Sequence, residues 1–182
     1  ARFAREHDAT YVLQVGNTGQ QIAWNLNPLV MSSSEMPIEG RGVVYHQEFD
    51  SDGLFRFVEP YKRVPIVRCF VHLLHETVCY PQWQEFAGLV EHSYRFGHAP
   101  TIDDPTWIEN AKPVAKIADY MAASSWGWHD KPHGDGFGHV LHGWAAIGRP
   151  LIGHASHYAG KMGEPFWRDG ETCIDLDKHS IP

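Results

Sequence analysis

Residues 126–153 constrain the fold more than any other part of the chain. The short β-prone run Trp126–Trp128 is followed by the glycine-rich loop Asp135-Gly136-Phe137-Gly138. Apolar residues then recur at helical spacing, at Val140, Leu141, Trp144 and Ala145. Pro150 leads into a second apolar run, Leu151-Ile152-Gly153. A strand, a glycine loop, a helix and a second strand form the βαβ unit of a parallel sheet, so we predict an α/β fold.

Apolar runs and helical patterns alternate through the neighbouring residues, which favours the same class. Residues 65–71 form a continuous apolar run typical of a strand that is covered on both faces. Residues 81–91 and 113–123 carry apolar side chains at the spacing of an amphipathic helix. Residues 94–96 and 174–176 are predicted as short strands. Together they predict a Rossmann-like parallel sheet flanked by helices.

The beginning of the chain is predicted as a smaller α/β segment. Residues 11–15, 29–31 and 42–46 are apolar runs typical of strands. The stretch from residue 50 to residue 65 is the least regular part and contains two prolines. We therefore place a domain boundary there, with an N-terminal segment over 1–61 and the Rossmann-like domain over 62–182.

Charge and composition exclude several classes of function. The sequence holds 15 Lys and Arg against 22 Asp and Glu, a formal net charge of −7 with His neutral, and no basic cluster, so we predict no nucleic-acid partner. No apolar run approaches the roughly 20 residues that span a bilayer, and we expect no transmembrane segment. The three cysteines are odd in number and show no Cys-x-x-Cys spacing, which favours reduced thiols and a cytoplasmic protein.

The glycine loop before the predicted helix is suited to binding an anion. The first backbone amides of a helix have no partner within the helix, and the helix dipole favours negative charge beside them. Glycines at 136 and 138 would let a diphosphate approach the backbone, and Asp135 could accept hydrogen bonds from sugar hydroxyls. The alternative is purely structural, with Asp135 capping a tight turn that packs the helix onto the sheet.

Residues 135–152 resemble the donor-site segment of GT-B glycosyltransferases, in particular the retaining type with the pattern Glu-Gly-Phe-Gly, a second Glu and Met-Ala-x-Gly-x-Pro-Val-Ile. Asp135 falls on the first acidic position, and Gly136, Phe137 and Gly138 fall on the loop. Residues 167–175 are similar to the Asp-Gly segment that follows in that family. The chain departs from the pattern at Gly143, which stands where the family has its second Glu, and a basic pair after the first strand of the domain is not evident.

The resemblance implies the donor-binding half of a retaining glycosyltransferase that moves a sugar from a nucleoside-diphosphate sugar to an acceptor. It implies no cofactor and no metal. Asp135 and His139 are the candidate catalytic residues, and the candidate donor-binding residues are Gly136, Phe137, Gly138, Lys131 and His142. The first 61 residues are too few for a full acceptor half, so we expect an incomplete enzyme or a second copy or partner chain that completes the cleft.

Two other functions are open at this stage. A domain that lacks the second Glu and most of the acceptor half could bind nucleotide sugars without turning them over. A metal-dependent hydrolase could instead use the histidines that lie close together in sequence: His129, His133, His139, His142, His154 and His157. No His-Glu-x-x-His pattern is present to support the hydrolase.

Overall fold

The structure is a computed structural model that describes residues 6–9, 12–15, 29–32, 42–45, 49–60, 64–71, 74–97, 99–109, 114–135 and 137–181. Its main feature is a six-stranded sheet. The strands are β4 (Val67–Cys69), β5 (Ser93–Phe96), β6 (Trp107–Glu109), β7 (Trp126–Trp128), β8 (Leu151–Gly153) and β9 (Cys173–Asp175). They lie in the order β6-β5-β4-β7-β8-β9, and every neighbouring pair is parallel. This confirms the predicted Rossmann-like parallel sheet.

A separate short sheet precedes it. Its strands are β1 (Val12–Val15), β2 (Leu29–Ser32) and β3 (Gly42–Val44), which pair in parallel in chain order. The predicted N-terminal α/β segment therefore contributes parallel strands of its own. Residues 61–63 lie outside the described ranges, and the boundary between 61 and 62 stays a prediction.

In the described ranges, three α-helices connect strands of the large sheet. They are α1 (Tyr80–Leu89), α2 (Val114–Ala122) and α3 (His139–Ile147), and they agree with the predicted helices to within two residues. Strand β6 was not predicted, because it lies at the edge of the sheet with Ile108 exposed and lacks the continuous apolar run of a strand that is covered on both faces. In the described part of the chain, no helix has the length and apolar character needed to cross a membrane.

Each face of the large sheet has its own apolar core because strand side chains alternate between the faces. Val67 and Cys69 of β4 pack with α1, whose Trp83 is fully buried. On the opposite face, Leu151 of β8 packs with α2 and α3. The three cysteines, Cys69, Cys79 and Cys173, are buried in these cores and form no disulfide.

Residues 49–60 pack against α3 and are fastened by a buried arginine. Arg149, which is 2 % exposed, donates hydrogen bonds to the carbonyl oxygens of Val58 at 2.6 Å and Ala122 at 2.7 Å. Phe55 lies against Gly143 of α3. The strap of residues 49–60 therefore covers the helix that follows the glycine loop.

The contact between β7 and α3 gives a first prediction. A Cβ added to Gly127 would lie 2.5 Å from the ring of Trp144, whereas one added to Gly88 on α1 would meet nothing within 4 Å. We expect Gly127→Ala to lower the free energy of unfolding by about 1–3 kcal/mol through overpacking. Gly88→Ala should instead stabilise the protein by up to about 1 kcal/mol through higher helix propensity. Urea unfolding of both variants checks this, and equal effects would contradict the contact.

Candidate functional site

The strand order creates a crevice at one edge of the large sheet. The chain moves outward from β4 to β5 and β6, and then returns to place β7 on the other side of β4. The connections that leave β4 and β7 therefore run to opposite sides, and ligands of open α/β sheets bind at the carboxyl ends of such strands. The glycine loop follows β7 and opens α3 at this edge.

Polar side chains gather where β7 and β8 end. We call them the switch-point cluster: Cys79, His129, Asp130, Asp135, His154 and His157. His129 and Asp130 follow β7 directly, and His154 follows β8. Cys79 immediately precedes α1, on the connection that leaves β4. Buried polar groups are uncommon unless they are paired or functional, so this concentration marks the site.

Asp130 lies at the centre of the cluster and is 0 % exposed. Its Oδ1 atom lies 2.9 Å from Nδ1 of His154 and accepts a 3.3 Å hydrogen bond from the backbone amide of the same residue. Nδ1 of His157 lies 3.1 Å from the same oxygen. Two histidines of the turn after β8 therefore approach one carboxylate at the end of β7.

Asp135 lies between two basic side chains. Lys131 donates a hydrogen bond to its Oδ1 atom, and Nε2 of His129 lies 3.4 Å from its Oδ2 atom. Burial alone would raise the pKa of Asp135, but the hydrogen bonds and charges of His129 and Lys131 outweigh burial and lower that pKa well below its usual range. Asp135 is therefore a carboxylate at neutral pH, able to accept hydrogen bonds from hydroxyl groups.

This lowered pKa predicts a pH-dependent contribution to stability. A carboxyl group whose pKa is lower in the folded state stabilises the protein above its unfolded pKa, and the contribution is lost as the pH falls through the folded value. We expect the wild type to be more stable than Asp135→Asn at neutral pH, with a gap that begins to narrow as the pH falls below about 3.9, the ordinary value for Asp. Thermal unfolding from pH 7 to pH 3 checks this, and a constant gap would contradict it.

The glycine loop leads into α3 in the predicted order. Gly138 precedes the first residue of α3 with φ 73°, a left-handed conformation that favours glycine, and no side chain of the described residues caps the helix there. Phe137 is buried, and its ring stacks on His142 with centroids 3.9 Å apart. His142 Nδ1 also lies 3.0 Å from the carbonyl oxygen of Gly138. Gly136 lies outside the described residues.

His139 stands exposed at the first position of α3, beside an apolar cavity of about 290 Å³. The strap contributes Phe49 and Phe55 to the lining of this cavity, and α2 contributes Ile117 and Met121. The cavity places an apolar surface next to the glycine loop. His139 therefore lines an apolar space at the start of α3.

Neighbouring side chains fill the space beside Gly143, at the position where the resembling family has an acidic side chain. A Cβ at this position would lie 3.1 Å from both Phe55 and Met121, closer than ordinary contact. The strap thus occupies the space that a longer side chain would need. An acidic side chain at 143 would displace the strap, and the described part of this chain supplies no such group there.

Sequence reasoning missed Lys161. It follows the 3₁₀ turn Ala155–Tyr158, and its Nζ atom donates to the carbonyl oxygen of His157. Burial lowers the pKa of Lys161, while the charge of Asp135 raises it. A Cβ added to Gly134 would lie 3.1 Å from Nζ of Lys161, so this lysine is a second cation beside the glycine loop, in addition to Lys131. No sequence signal pointed to it, because it is one lysine in a turn between two strands.

Sequence comparison indicates no family for this chain: no protein-family model matches it, and no curated protein matches it. The observations that bear on function are therefore the geometry of the crevice and the pattern of residues 135–152.

Proposed function

We propose that the protein binds a nucleoside-diphosphate sugar at the carboxyl edge of its large sheet and transfers the sugar to an acceptor. One observation carries the proposal: the unit of β7, glycine loop, α3 and β8 lies beside the point where the strand order reverses. Its loop presents Asp135 and the uncapped start of α3 to that edge. This is where α/β folds bind nucleotides, and residues 135–152 resemble a nucleotide-sugar segment.

Each part of the donor has a counterpart in the site. The diphosphate would lie at the start of α3, where the backbone amides and the helix dipole stabilise an anion. Lys131 and Lys161 supply positive charge near it. The carboxylate of Asp135 would accept hydrogen bonds from hydroxyl groups of the sugar and so fix its orientation.

In the proposed reaction the bond between the anomeric carbon and the diphosphate oxygen breaks, and the diphosphate leaves with the electron pair. A hydroxyl oxygen of the acceptor bonds to the anomeric carbon. Its proton passes to His139, at the mouth of the apolar cavity. The backbone amides at the start of the helix stabilise the charge that develops on the leaving group. Because these amides are already oriented, the protein does not have to reorganise during the reaction.

One observation favours a second candidate, a binding module that does not turn over its ligand. Gly143 stands at the position of the second acidic residue in the glycosyltransferase pattern, and Phe55 packs against it. A contact that the family uses on the donor is therefore replaced by an apolar contact. Binding without transfer would follow if that contact were needed for turnover.

Asp135→Asn tests the proposed role of the carboxylate. A hydrogen bond to a charged group contributes about 1.5–3 kcal/mol, so we expect sugar-nucleotide binding to weaken by about 10–100-fold. Binding of the corresponding nucleoside diphosphate, which lacks the sugar, should change little. Isothermal titration with uridine, guanosine and adenosine diphosphates and their glucose derivatives measures both.

Asp119→Asn, at an exposed position of α2, is the matched control and should bind as the wild type does. Absence of binding of every sugar nucleotide to the wild type would contradict the proposal, and so would unchanged binding to Asp135→Asn. Release of nucleoside diphosphate in the presence of sugar acceptors then separates the transferase from the binding module. Turnover supports the former, and tight binding without turnover supports the latter.

A further inference from the structure

Three potential metal ligands converge within the switch-point cluster. The Sγ atom of Cys79, a carboxylate oxygen of Asp130 and a ring nitrogen of His157 all lie within 4.8 Å of one another. They come from the start of α1, the end of β7 and the turn after β8. The strand order brings them together, since residues 79, 130 and 157 are far apart in sequence.

A second observation points to a missing partner. Asp130 is fully buried and Cys79 is 4 % exposed. Among the residues that the structure describes, Oδ2 of Asp130 has no hydrogen-bond partner, and Nδ1 of His157 has none although it lies 3.1 Å from Oδ1. Buried polar atoms are almost always paired, and an unpaired carboxylate oxygen beside a thiol and an imidazole is what a bound cation would satisfy.

We propose that Cys79, Asp130 and His157 form a binding site for one zinc ion. Thiolate, imidazole and carboxylate are the ligand types that zinc prefers, and thiolate disfavours magnesium and calcium. Nδ1 of His157 lies 3.1 Å from Oδ1 of Asp130, which places the imidazole beside the carboxylate whose other oxygen, Oδ2, has no partner among the described residues.

His154 acts in this site as a positioning residue. Its ring and its backbone amide both approach Oδ1 of Asp130, at 2.9 and 3.3 Å. Hydrogen bonds of this kind orient a metal-binding carboxylate. The described residues supply three ligands, which leaves one position of a tetrahedral zinc to a further ligand, and the half-buried side chain of His157 marks the side from which water or a ligand oxygen would reach it.

Zinc uptake must displace a proton from the thiol. On binding, the S–H bond of the Cys79 thiol breaks, a sulfur–zinc bond forms and the proton passes to solvent. Affinity should accordingly fall as the pH is lowered.

The site departs from the sequence-based prediction of a centre without metal, and it does not depend on the proposed transferase. The hydrolase considered from the sequence would have used histidines alone. Here a cysteine and an aspartate provide two of the three ligands. Zinc retention and nucleotide binding are measured separately, so failure of one proposal is distinguishable from failure of the other.

The experiment is metal loading of the full chain. We expect the wild type to retain one equivalent of Zn²⁺ after dialysis, and the Co²⁺-loaded protein to show the near-ultraviolet charge-transfer band of a cobalt–thiolate bond. Cys79→Ser should abolish that band and weaken Zn²⁺ binding by more than about 100-fold, beyond the range for loss of a residue that only orients a ligand. Cys173→Ser, a matched change at the other end of the sheet, should keep both properties.

Far-ultraviolet circular dichroism and thermal unfolding establish that each variant is folded. His157→Gln alters the most exposed of the three ligands and leaves the buried pair in place, so it also tests the site if Cys79→Ser does not fold. It should weaken Zn²⁺ binding by a similar factor. Retention of less than one equivalent by the wild type, absence of the cobalt–thiolate band, or unchanged affinity in folded Cys79→Ser or His157→Gln would overturn the proposal.

Discussion

Trp144→Ala is expected to lower the free energy of unfolding by about 3–5 kcal/mol, the range for removing a large aromatic side chain from a core. Trp144 is 0 % exposed on α3. Its ring lies over Gly127 of β7 and 5.7 Å, between centroids, from Phe70 after β4. The indole therefore fills the space between the helix that follows the glycine loop and the two strands that flank the crevice.

Urea unfolding of Trp144→Ala and Trp144→Phe measures this effect. The indole nitrogen of Trp144 has no hydrogen-bond partner among the described residues. Replacement by phenylalanine therefore removes side-chain volume but no hydrogen bond to those residues. We expect a clearly smaller loss for Trp144→Phe. Equal losses for the two variants would show that the cavity left by alanine is not the cause.

Asp104→Ala is expected to destabilise the protein by a similar amount, about 3–5 kcal/mol, for an electrostatic reason. Oδ2 of Asp104 lies 3.1 Å from Nε of Arg95, and both side chains are 1 % exposed. Removing the carboxylate leaves the Arg95 guanidinium buried without its counter-charge. Arg95 also lies over the ring of Tyr80, the first residue of α1. The contact that Asp104→Ala destabilises is therefore next to Cys79.

The matched control is Glu171→Ala. Glu171 pairs with Arg168 at 3.4 Å, but the two side chains are 69 % and 64 % exposed. Such pairs contribute about 0–1 kcal/mol, so this variant should unfold almost as the wild type does. The double variant Arg95→Met/Asp104→Leu should regain much of the stability lost in Asp104→Ala, because it removes both charges. A large loss in the control, or none in Asp104→Ala, would contradict the explanation.

Local sequence patterns predicted the elements of the large sheet well. The i, i+3, i+4, i+7 repeat of Val114, Ile117, Ala118 and Met121 corresponds to α2. The run from β7 through Gly138 to β8 forms the predicted βαβ unit. These signals are strong because each depends on residues that lie close together in the sequence.

The switch-point cluster could not be predicted in the same way. Cys79, Asp130 and His157 meet only because β4 and β7 are neighbours, and strand order is a property of the whole sheet. The role of Gly143 was also hidden, since the sequence does not show that Phe55, almost ninety residues earlier, packs against it. Long-range packing decided both features.

The hydrogen bonds of Arg149 determine which substitutions the strap tolerates. Its guanidinium contacts Val58 and Ala122 only through their main-chain oxygens, and these bonds do not depend on which side chains stand there. Substitutions at Val58 or Ala122 therefore leave the fastening intact, whereas Arg149→Lys would sever it, because one ammonium group cannot reach both carbonyls as a planar fork does. Strap segments of altered sequence could thus be grafted onto this domain, provided that Arg149 is kept and that Phe55 still packs against Gly143.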